Sequence, residues 1–157
     1  MNKVLLTAVI FSTLLLSCNE NKTKNEITHE HHDHETVSKN AELDNEWIND
    51  MALNGNEKWV ANAETNEGVE EMIRTIEESN PQTMEEFHEL AFQLNETQNY
   101  VVRECTMTGE SHEYLHVFLH PLILKINALG KVSTVDEGLH IRELLLENLH
   151  NYHSFFQ

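Results

Sequence analysis

Twelve residues concentrate the chemistry of this chain. From Cys105 to His116 it reads Cys-Thr-Met-Thr-Gly-Glu-Ser-His-Glu-Tyr-Leu-His, which places one thiol, one thioether and two imidazoles close together in sequence. Sulfur and imidazole donors suit transition metals rather than hard cations. His112 and His116 are four residues apart. On a helix that spacing sets two side chains on one face, about 6 Å apart. One helix commonly offers two imidazoles to a single ion in this way. The thiol of Cys105 and the thioether of Met107 tilt the set toward copper, above all Cu(I). Zinc on Cys105, His112 and His116 is the alternative, with Met107 then a packing residue. Glu110 and Glu113 flank the imidazoles. They serve either as acceptors that orient the rings or as acids favoured at a helix N-terminus.

Whether these donors meet depends on the elements that carry them. A first long helix is expected near Glu64–Ser79, with Val69, Met72, Ile73 and Ile76 on one face. Asn80-Pro81 is expected to end it and start the next, since proline suits a first helical turn, and Thr83 with Glu86 can form a capping box. That second helix runs to about Cys105. Its seam is Met84, Phe87, Ala91, Leu94, Gln98, Val101 and Cys105, at alternating steps of three and four. The turn Thr106–Glu110 contains Gly109. A third helix then carries His112, Leu115, Leu119, Leu122, Ile126 and Leu129 inward, and Gly130 closes it. Cys105 is thus the last inward residue before the turn and His112 the first after it. Pro121 is expected to kink this helix near His116–His120. Ser133-Thr134 starts a fourth helix, which runs to about Phe155 with Val135, Leu139, Leu145, Leu146, Leu149 and Phe156 broadly apolar.

Ahead of these lie a short helix over Ala41–Leu53, with Trp47, Ile48 and Met51 on one face, and a turn at Asn54-Gly55-Asn56. Lys58-Trp59-Val60 reads as extended, with Trp59 a core plug. The fold class is all-α: residues 41–157 form an antiparallel four-helix bundle with an N-terminal extension.

The first residues read as an address. Lys3 precedes the apolar run Val4–Leu16, and Leu15-Leu16-Ser17-Cys18 matches a lipobox. Residues 1–17 are therefore expected to be a lipoprotein signal peptide, with lipid on Cys18 holding the chain to a membrane. The place implied is the bacterial cell envelope, periplasmic or outer membrane. With Cys18 lipidated, Cys105 has no intrachain disulfide partner. Residues 18–40 form a polar tether containing His29, His31, His32 and His34 among three acids, a weak and unselective metal collector.

The formal charge of −17 excludes nucleic acid as a natural partner and favours cations. No nucleophile–base pair, phosphate loop or paired-carboxylate motif appears, so an enzyme is not expected. Two other readings compete with metal buffering or transfer to a protein partner. One is a haem-binding or redox bundle, although no Cys-x-x-Cys-His attachment motif is present. The other is an interaction module in which Cys105 is merely buried.

Lys58-Trp59, followed by Cys105-Thr106-Met107-x-Gly109-x-x-His112-x-x-Leu115-His116-x-x-Leu119-x-Pro121-Leu122, resembles a group of small, uncharacterised bacterial envelope lipoproteins. The likeness spans about Trp59 to Leu129. Members of that group are helical, and some accompany metal-resistance functions. The resemblance implies that Cys105, Met107, His112 and His116 belong together.

Overall fold

The computed structural model describes residues 43–157. The signal segment, Cys18 and the tail histidines His29, His31, His32 and His34 lie outside the described residues. The described part is built from four helices: α1 (Ala63–Glu78), α2 (Met84–Glu104), α3 (Glu110–Leu129) and α4 (Val135–Phe155). A single 3₁₀ turn, Glu46–Asp50, precedes them. Each helix packs on its neighbour in sequence, and α4 closes the ring against α1. Short connections make neighbours antiparallel, and the result is a four-helix bundle.

Hydrophobic spacing explains the core. Phe87, Ala91, Leu94, Gln98 and Val101 of α2 are all buried, as the seam requires. Leu115, Leu119, Leu122, Ile126 and Leu129 form the matching stripe of α3. Met84 falls outside this pattern and is exposed, because it is the first residue of its helix. On α4 Leu145, Leu149 and the following Phe156 are buried as expected, but Leu139 is exposed, and Gly138 and Ile141 face inward. Phe87 reaches across from α2 and lies 2.6 Å from where a Cβ on Gly138 would stand, so only glycine fits there.

The helix starts at one end of the bundle are sealed by side chains. Thr83 accepts from the Glu86 N–H and Glu86 accepts from the Thr83 N–H, completing the expected capping box. Thr134 likewise accepts from the Glu137 N–H, while Glu137 Oε2 accepts from the Ser133 N–H. Arg142 donates to the carbonyls of Ile76 and Ser79 and so closes the last turn of α1.

The opposite end, where α2 meets α3, is closed by tertiary packing. Trp59 is 8% exposed and its backbone joins the C-terminus: Trp59 N–H donates to Phe155 O, and Gln157 N–H donates to Trp59 O. Its indole N–H donates to Ala52 O at 2.7 Å, and its ring stacks on Tyr114 at 5.0 Å. The 3₁₀ turn places Trp47 edge-on against Phe118 of α3, at 5.6 Å. The expected N-terminal helix is thus shorter than its sequence suggested, five residues long, and its anchor is one indole. Helix α3 continues through Pro121, which is buried. No described helix is long and apolar enough to cross a membrane.

Candidate metal centre

Helix α2 ends at Glu104, one residue before the thiol. Cys105 is its C-cap, with extended backbone angles of φ −64° and ψ 121°. Asn62, the N-cap of α1, donates to the Glu104 carbonyl and fixes this exit. Cys105 is half-buried and packs against the hydrophobic core. Burial pushes the Tyr152 phenol of α4 up from its ordinary pKa, and Cys105 and Glu70 add to that shift electrostatically. The phenol donates to Asn66 Oδ1 at 2.7 Å.

Met107 follows in the loop, half-buried and also against the core. Gly109 then starts α3 with φ 67° and ψ −151°, a backbone region essentially reserved for glycine. No side chain caps this helix. The Gly109 carbonyl accepts from the N–H groups of His112 and Glu113, and Ser111 Oγ donates back to Thr108 O.

The i,i+4 expectation is met on α3. The His112 and His116 rings have centroids 4.5 Å apart and cross edge-to-face at 79°. His112 is half-buried and His116 exposed, so the pair opens toward solvent. Glu110 and Glu113 are both exposed beside it. Among the described residues, no three His, Cys, Asp or Glu side chains gather around one point where an ion could sit. The structure therefore brings the two imidazoles together and leaves Cys105 and Met107 on the loop side. The α2 seam carries Cys105 against the core as expected, at the point where the helix ends and the chain turns extended.

The other histidines are dispersed. His88 Nε2 bonds the Val132 carbonyl at 3.1 Å. His150 and His153 pair with Glu77 and Glu70 across the α1–α4 seam. His120 lines an open groove with Asp44, Trp47 and Asp50. Of the described histidines, His112 is half-buried and the rest are exposed.

Sequence reasoning missed the two polar residues at the centre of the bundle. Lys125 of α3 is fully buried and donates to Asn148 Oδ1 of α4 at 2.7 Å. Burial lowers the lysine pKa to about 8, against the upward pull of Asp44 and Glu147. The Asn148 Nδ2 has no partner. The signal was present: Lys125 falls three residues after Leu122, inside the apolar stripe. No protein-family model, curated protein or solved structure matches the chain.

Proposed function

We propose that this chain is a bacterial envelope lipoprotein that binds a transition metal at the α2–α3 joint, copper in preference to zinc. It buffers the ion or hands it to a protein partner. The observation that carries the reading is the His112–His116 pair, two imidazoles 4.5 Å apart on one solvent-facing helical turn. The Cys105 thiol and Met107 thioether, both at the same joint, add the soft donors that favour Cu(I). The lipobox at Leu15–Cys18 and the likeness of the Cys-Thr-Met-x-Gly-x-x-His-x-x-Leu-His string to envelope lipoproteins support lipid on Cys18 and an envelope location. The acidic charge of −17 favours cations around the molecule.

The test is an anaerobic Cu(I) titration against a competing chelator. It uses the full chain with His29, His31, His32 and His34 changed to Ala and Cys18 to Ser, so that Cys105 is the only thiol. One tight equivalent is expected, lost in His112→Ala and weakened in Cys105→Ala. Equal uptake by a His112→Ala/His116→Ala double variant removes the reading. A second reading, an interaction module, is favoured by one observation: Cys105 packs against the core rather than into a cluster of ligands.

A further inference from the structure

The geometry points to a metal-bridged dimer, in which His112 and His116 of two copies of this chain together hold one divalent ion. The inference rests on the reading that these two imidazoles ligate metal, and it adds the partner that completes the site. Zinc takes four ligands in closed sites, and a protein surface supplies them only where several donors converge. Here two converge and stop. His112 and His116 are in ring contact, and no third His, Cys, Asp or Glu among the described residues joins them. Cys105 is half-buried against the core and makes no third member of a donor group with them in this structure. A hard or borderline divalent ion gains less from the thioether of Met107 than Cu(I) does. For such an ion the pair is half a site.

A second copy supplies the other half with the least new structure. A two-fold axis presents the same patch from both chains, so one pair of imidazoles on a helix becomes two pairs around one ion. The surroundings allow that approach. His116 is exposed and sits on the outer side of α3 rather than in a cleft. Beside the start of α3, Val60 is 70% exposed and lines a shallow groove with Thr108, Glu110 and Ser111. An uncovered apolar side chain thus stands beside the first residues of α3, where a second copy docked at this end would shield it. Charge sets the condition. Each chain carries a formal −17, and Glu110 and Glu113 are exposed beside the imidazoles. Two metal-free copies repel one another, and a divalent ion between the two patches offsets part of that repulsion locally. Association is therefore conditional on the ion and reversed by its removal.

Zinc(II) is the probe, because it has no redox chemistry with Cys105. The full chain with Ala at positions 29, 31, 32 and 34 and Ser at 18 is titrated with zinc, and its mass is followed by sedimentation equilibrium. The expected result is saturation at one zinc per two chains, with a doubling of mass that a chelator reverses. His112→Ala and His116→Ala should each abolish the doubling while the helical circular dichroism stays unchanged. Saturation at one zinc per chain with no change of mass overturns the dimer and leaves the single-chain metal reading standing. A dimer that persists in the double variant also overturns it, since the bridge then lies elsewhere. Absence of any zinc or Cu(I) uptake that depends on His112 and His116 overturns both.

Discussion

The two ends of the bundle are built on opposite plans. At the end holding the α1–α2 and α3–α4 turns, side chains satisfy the helix termini: Thr83 with Glu86 and Thr134 with Glu137 at the starts of α2 and α4, and Arg142 reaching from α4 over the end of α1. The two threonine caps are local, and the Arg142 bonds join α4 to α1. At the α2–α3 end the helix start is a bare glycine with positive φ, and order comes from Trp59, Tyr114 and the paired C-terminus. The donors sit at that end: thiol, thioether and the imidazole pair. The difference teaches that this joint is held from outside by packing, which leaves its own side chains uncommitted to capping and available to a ligand.

If that contrast is right, the largest loss of stability comes from the packing that holds the joint. Trp59→Ala removes a buried indole, its stacking on Tyr114 and its hydrogen bond to Ala52. A loss of about 3–5 kcal/mol is expected in urea unfolding. A smaller loss than that caused by removing either threonine cap would break the comparison.

Next in size is the bundle centre, which belongs to neither end. Lys125 has a folded pKa of about 8 against an ordinary 10.5. Below pH 8 both folded and unfolded chains hold the proton, and the buried charge costs stability without a slope. Between pH 8 and 10.5 the unfolded chain alone keeps it, so stability rises with pH. The full rise is on the order of 3 kcal/mol at 1.36 kcal/mol per pKa unit. Denaturant unfolding from pH 7 to 10.5 should show it, and Lys125→Met should flatten the curve.

Gly109→Ala is expected to cost about 1–3 kcal/mol, since alanine is strained at φ 67° and ψ −151°. There is open space around that glycine, so the cost is purely backbone. A neutral result would mean that the joint relaxes freely and is not held by its surroundings. Thr83→Ala and Thr134→Ala should each cost about 1 kcal/mol in thermal unfolding, with no change in metal uptake. A cap variant that altered uptake would erase the distinction between the ends.

Much of the fold was legible because it is periodic. The steps of three and four in Phe87–Val101 and Leu115–Leu129 set the inward faces of α2 and α3, and the Thr83–Glu86 spacing gave the capping box, whereas Pro81 lies before the helix and not in its first turn. The i,i+4 imidazoles were legible for the same reason. The seam also placed Cys105 against the core, whereas the path of the chain after it was not legible, because the Asn62 bond to Glu104 that fixes the exit is long-range. Leu139 and Gly138 exchanged places because a tight Phe87 contact from another helix, invisible locally, selected the glycine. Lys125 and Asn148 lie on different helices, and only the assembled core shows why a lysine is tolerated inside.

The most direct test of the central claim is an imidazole NMR titration of the full chain with Ala at 29, 31, 32 and 34 and Ser at 18, using zinc(II). The claim predicts that the ring signals of His112 and His116 shift together and saturate first, while those of His88, His120, His140, His150 and His153 stay in place. Shifts spread evenly over all of them, or a first response at any ring other than these two, would contradict it.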